Sequence, residues 1–107
     1  MIGDVAGKTC LLVDDEIATG GTIFEATDFL LARGATRVIS AIVHPVLSGR
    51  ASMRLEQSAL ERLVVTNSIP IPSEKQSEKI TTLSIAPLLA TAITRIHDGR
   101  SVSELFG

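Results

Sequence analysis

The chain has 107 residues, 45% of them hydrophobic and 21% charged, enough for one globular domain (1–107) and too apolar for a disordered one. Its net charge of −2 argues against a basic nucleic-acid-binding surface, and the lack of Trp and Tyr argues against an aromatic platform for single strands. No apolar run reaches the ~20 residues that span a bilayer, and the N-terminal Met1-Ile2-Gly3-Asp4 is not signal-like, so the protein is expected to be cytoplasmic, without membrane or nucleic-acid partners.

In chain order, residues 9–14 are a short apolar run after Gly7-Lys8 and predict a buried strand. The lone Cys10 at its start has no internal disulfide partner and reads as a small core residue. Residues 22–33 predict a helix with Ile23, Ala26 and Leu30 on one face, closed by Gly34 in a left-handed cap. A second strand is expected over 37–43 and a short helix over 49–60, with Met53 and Leu60 on its buried side. A third strand follows at 63–66, then a polar loop from Pro70 to Gln76, and a fourth strand at 79–83. Residues 87–98 predict an amphipathic helix with Leu88, Leu89, Ala92, Ile93 and Ile96 inward, Pro87 in its first turn and Gly99 past its end. A last short turn is expected over 101–106. Strands alternating with helices imply right-handed crossovers, an α/β fold and a mainly parallel sheet, with ligands beyond the strands' carboxyl ends.

The richest stretch lies at that edge. Asp14, Asp15 and Glu16 follow Leu11-Leu12-Val13, and Thr19-Gly20-Gly21-Thr22 then opens the first helix. Backbone N–H groups and two hydroxyls at a helix N-terminus suit a phosphate, because the unpaired donors and the macrodipole favour an anion. Carboxylates at the strand end can accept hydrogen bonds from ribose hydroxyls or hold a divalent cation. Solvated turn chemistry with Thr22 as an N-cap explains each half separately. A plain turn, however, needs neither two consecutive Asp nor two hydroxyls flanking two glycines, so a ribose-5-phosphate clamp is the better account of the whole.

With those residues in view, the chain resembles the phosphoribosyltransferase superfold, which implies a three-layer Rossmann-like domain. More closely it resembles the C-terminal domain of the ribose-phosphate pyrophosphokinases (phosphoribosyl pyrophosphate synthetases). The resemblance is carried by His44-Pro45-Val46-Leu47-Ser48-Gly49, by Val64-Val65-Thr66-Asn67-Ser68-Ile69-Pro70 and by the ending Ile93-Thr94-Arg95-Ile96-His97-Asp98-Gly99-Arg100-Ser101-Val102-Ser103-Glu104-Leu105-Phe106. It implies transfer of the β,γ-diphosphoryl group of ATP to the anomeric hydroxyl of ribose 5-phosphate, with Mg²⁺, giving phosphoribosyl pyrophosphate and AMP. Carried over by position, Asp14 and Asp15 would bind the ribose hydroxyls, with a possible Mg²⁺, and Thr19, Gly20, Gly21 and Thr22 the 5-phosphate.

The family's pattern is departed from twice. Ala18 stands where an acidic residue is usual, which bears on ribose contact or metal geometry. The domain that supplies much of the ATP site, with its basic loop, has no counterpart in the chain, so the chain is expected to act as a ribose-5-phosphate-binding half without turnover of its own. Its face towards that missing half is expected to be apolar and to drive homo-oligomerisation. A nucleobase phosphoribosyltransferase and a non-catalytic module associating with full-length synthetase are the alternatives.

Among the remaining polar residues, His44 reads as a hydrogen-bonded structural imidazole and His97 as a partner of a helix C-terminus. Lys75 and Lys79 read as solvated surface. Ser48-Gly49 is explained equally by a turn with an N-cap and by a family element. Ser101, Ser103 and Phe106 match a segment that the resemblance connects with a regulatory phosphate or nucleotide site. No zinc-ligand spacing and no Ser/His/Asp arrangement occurs.

Overall fold

The computed structural model describes residues 3–18 and 21–101. Four strands, β1 (Thr9–Ile17), β2 (Arg37–Pro45), β3 (Arg62–Thr66) and β4 (Ile80–Leu83), form one sheet in sequence order, and every neighbouring pair is parallel. Helices α1 (Gly21–Ala32) and α2 (Ala51–Gln57) make the first two crossovers. A loop with one 3-10 turn over Ser73–Lys75 makes the third, and α3 (Ala86–His97) follows β4.

The register explains which residues form the core. Leu12, Ser40, Leu63 and Ile80 lie on one line across the sheet, and Val13, Ala41, Val64 and Thr81 on the next. Because side chains alternate along a strand, the first line faces the helices and the second faces away. Val38, Ile42, Leu63 and Val65 are accordingly buried against Ile23 and Phe24 of α1 and Ala51 and Leu55 of α2, with Leu47 and Leu60 closing the cluster. Two buried hydroxyls are satisfied locally: Ser40 donates to the Leu12 carbonyl at 3.1 Å and Thr27 to the Ile23 carbonyl at 2.8 Å.

Local devices set the element ends. Gly34 has φ 95°, and the N–H groups of Gly34 and Ala35 reach back to the carbonyls of Leu31 and Leu30 at 3.0 and 3.1 Å, closing α1 in a left-handed turn. The ammonium of Lys79 holds the last carbonyls of α2, at 3.1 Å from Leu55 O and 2.8 Å from Ser58 O. Arg37 pairs with Glu61 at 2.6 Å, and the hydrogen bond and charge of that carboxylate raise the guanidinium's pKa. The pair is exposed, so it marks the approach of β3 to β2 rather than a source of stability.

The α/β class and the parallel sheet are as expected; three finer points concern layering and burial, and the two on burial are corrections. The first is the layering among the described residues. Both helical crossovers advance across the sheet in one direction, so α1 and α2 pack on a single face. The other face is open, with Val13 74% exposed and Leu11, Val43 and Leu83 uncovered beside it, and the smallest dimension is only 19 Å. The second concerns α3, which buries no residue: Leu88, Leu89, Ile93 and Ile96 are exposed rather than inward. Periodicity establishes that these side chains share a face and is silent on whether that face has a partner. The third is Met53, expected on the buried side of the second helix and in fact 54% exposed; Ala51 and Leu55 fill that role, while Leu60 is buried just beyond the helix.

Candidate functional site

β1 continues three residues past the expected end at Asp14, to Ile17, and this determines which carboxylates come near the start of α1. Asp14, Glu16, Ile17 and Ala18 form one wall of a cleft of about 200 Å³, and Gly21, Thr22 and Ile23 of α1 form the other. The cleft lies at the carboxyl end of the first strand, where open α/β sheets bind ligands. α1 is twelve residues long with no acidic residue in its first turn, so no carboxylate of its own opposes an anion at its N-terminal end.

Of the expected site residues, Asp14, Gly21 and Thr22 come together here. Asp15 does not line the cleft. Its backbone N–H instead donates to Asp14 Oδ1 at 2.7 Å, which holds the Asp14 carboxylate in place. Thr19 and Gly20 lie outside the described residues, as do Ser103 and Phe106. Glu16 also lines the cleft, though it is not among the expected site residues; a strand that runs beyond Asp14 is the signal that would bring the two together.

Asp14 and Glu16 are the two oxygen donors on this wall with the charge to hold a divalent cation, in the manner of Mg²⁺ sites that use one or two carboxylates with substrate phosphates. Among the described residues no group of three His, Cys, Asp or Glu converges on one point. His44 is the register partner of Glu16 on β2, and its Nδ1 lies 2.8 Å from Ser68 Oγ, which donates to the Val43 carbonyl at 3.0 Å. That hydrogen-bonded imidazole agrees with the structural reading. Cys10 packs against the core, and His97 lies in the last turn of α3.

The two lysines are a correction. Neither is a solvated surface group: Lys79 caps α2, and Lys75 Nζ donates to the Leu47 carbonyl at 2.9 Å. Leu47 and Ser48 in turn donate their N–H groups to the carbonyls of Ile17 and Ala18, at 3.0 and 2.7 Å. The β2–α2 loop thus continues the pairing of β1 as far as Ala18. Nothing in the local sequence signals this, because the contacts are backbone to backbone.

Residues 1–107, the whole chain, match the family described as the phosphoribosyl synthetase-associated domain. The chain belongs to that family. It is 51% identical over 106 residues to a ribose-phosphate pyrophosphokinase of Listeria ivanovii, covering 99% of this chain and 33% of that protein. It is 50% identical over 106 residues to that of Caldanaerobacter subterraneus subsp. tengcongensis, covering 99% of this chain and 34% of the relative. A crystal structure of phosphoribosylpyrophosphate synthetase from Mycobacterium smegmatis superposes with a TM-score of 0.88 and 47% identity, over 92% of this chain and 33% of that one. The chain therefore spans about a third of the length of the relatives it matches. These matches give family and span but no position, so the C-terminal placement expected from the motifs is set aside.

Proposed function

We propose that this chain is the sugar-phosphate-binding part of a ribose-phosphate pyrophosphokinase, the enzyme that moves the β,γ-diphosphoryl group of ATP onto the anomeric hydroxyl of ribose 5-phosphate. The observation that carries this is the cleft in which Asp14 and Glu16 oppose Gly21 and Thr22 at the start of α1. Its volume of about 200 Å³ sits below the ~300–1,000 Å³ of drug-sized sites, which suits a sugar phosphate better than a whole nucleotide. The relatives' name, ribose-phosphate pyrophosphokinase, supports this choice of reaction.

In this reading the 5-phosphate rests on the first-turn N–H groups of α1 with the hydroxyls of Thr19 and Thr22, and Gly20 and Gly21 let the backbone approach it. Asp14 and Glu16 accept hydrogen bonds from the ribose hydroxyls, and the Asp15 N–H keeps the Asp14 carboxylate aimed. A bound Mg²⁺, held by Asp14 and Glu16, would neutralise phosphate charge. The chain's own work is to orient the sugar so that its anomeric oxygen is presented for an in-line attack. Such positioning is most of what phosphoryl transfer asks of a protein. Ala18 leaves the phosphate cradle intact and shifts the carboxylate role to Glu16. The protein is cytoplasmic in this reading, and the open sheet face makes it a homo-oligomer.

The test is calorimetric titration of the purified chain with ribose 5-phosphate, with and without Mg²⁺, beside ribose and inorganic phosphate. Ribose 5-phosphate binding more tightly than either component supports the reading. Equal weak binding of all three, or none by a folded sample, overturns it. In that event the exposed sheet face favours a module that associates with full-length synthetase, which co-purification would detect.

A further inference from the structure

Leu47 is the one non-glycine with a positive φ, 49°, among the described residues, and it is almost fully buried. A bulky side chain in the left-handed region is strained, so its surroundings must hold it there, and such outliers gather at functional sites. Three contacts do so. The side chain is locked in the core, its N–H donates to Ile17 O at 3.0 Å, and its carbonyl accepts the Lys75 ammonium at 2.9 Å.

The Leu47 carbonyl and the Ser48 N–H belong to one peptide group. An ammonium on the oxygen polarises that group and strengthens donation by its N–H, as in any hydrogen-bond chain. The Ser48 N–H is the short donor, at 2.7 Å, to the carbonyl of Ala18. Ile17 and Ala18 are the cleft residues that lead directly into Thr19-Gly20-Gly21-Thr22. A single relay therefore runs from the loop before β4, through peptide 47–48, to the entrance of the phosphate-binding turn.

We propose that Lys75 is a positioning residue for the sugar-phosphate cleft, acting through the peptide group between Leu47 and Ser48. The proposal rests on the reading of the cleft given above. Lys75 touches no ligand in this account; it preorganises the backbone that does, so that less ordering is left to binding. Lys79 is a matched control on the same loop, because it also holds backbone carbonyls, but those at the end of α2, away from the cleft.

The experiment compares Lys75→Met, Lys75→Arg and Lys79→Met in the 107-residue chain, by amide hydrogen exchange without ligand and by titration with ribose 5-phosphate. Lys75→Met is expected to speed exchange of the Ser48 N–H about tenfold and to raise the Kd for ribose 5-phosphate by a similar factor. Lys75→Arg keeps a donor and is expected to restore most of both. Lys79→Met is expected to loosen the end of α2 while leaving Ser48 exchange and the Kd within about twofold. Unchanged Ser48 exchange in Lys75→Met overturns the relay, and faster exchange with an unchanged Kd overturns its functional role. An equal rise in Kd for Lys79→Met reduces Lys75 to general stability and overturns the proposal as well. Absence of wild-type binding overturns the cleft reading itself, and the exchange measurement distinguishes that failure from failure of the relay.

Discussion

Asp14, Asp15 and Glu16 are consecutive carboxylates, yet the cleft geometry assigns them effects of opposite sign on binding of ribose 5-phosphate without metal. On the proposed reading, removing the charge of Asp14 has two consequences. It weakens a charge-assisted hydrogen bond to a ribose hydroxyl, a contact class worth about 1.5–3 kcal/mol. It also relieves repulsion of the phosphate: at roughly 7 Å in water two unit charges repel by about 0.6 kcal/mol, and so by about 1 kcal/mol for a phosphate close to dianionic. The hydrogen bond wins, and Asp14→Asn is expected to raise the Kd by about 3- to 30-fold, with Glu16→Gln in the same range. Asp15 does not line the cleft and offers Asp14 its backbone N–H, which Asp15→Asn retains. Only the repulsion changes for that variant, so its Kd is expected to stay the same or fall by less than about threefold. Isothermal titration at low ionic strength, with unfolding monitored to show that the variants remain folded, separates the three. An Asp15→Asn loss equal to that of Asp14→Asn would refute the assignment of carboxylates to the cleft wall.

Three further outcomes follow from the fold. Gly34→Ala is expected to destabilise the chain by about 1 kcal/mol or more, because φ is 95° and a Cβ would sit 3.4 Å from Ala6; thermal unfolding should show a midpoint roughly 4–8 °C lower. Leu55→Ala is expected to cost about 2–5 kcal/mol and Met53→Ala less than about 0.5, which denaturant titration would reveal as a large and a negligible change of midpoint. Val13→Lys places a charge in the middle of the open sheet face and is expected to shift a self-associating wild type towards monomer; sedimentation of the wild type as a monomer at every accessible concentration would contradict that.

The α/β class was legible because short β-branched runs alternated with periodic helical segments and Gly34 marked a helix end. The cleft's location was legible for a related reason, since acidic residues after an apolar run and a Gly-rich turn before a helix are both local patterns. Assignment within the cleft was less so. Ending the first strand at Asp14 leaves out Glu16, which lines the cleft beside Asp14. The exposed stripe of α3 was legible as a stripe, but burial is a tertiary property, and the described residues supply no surface against Leu89 or Ile96. Lys75 and Lys79 read as solvated surface in the sequence because their partners are carbonyl oxygens, and every residue has one. The left-handed Leu47 breaks a local preference, and the relay through it comes from long-range contacts that no window of sequence contains.

The most direct measurement of the central claim is a two-dimensional amide NMR titration of the chain with ribose 5-phosphate. The account predicts saturable shifts centred on Gly21, Thr22 and Ile23, extending to Asp14, Glu16 and Ala18, while Asp28 and Arg54 in the separate cleft between α1 and α2 stay unmoved. Shifts centred on that second cleft, or on the open sheet face around Val13 and Val64, would contradict it.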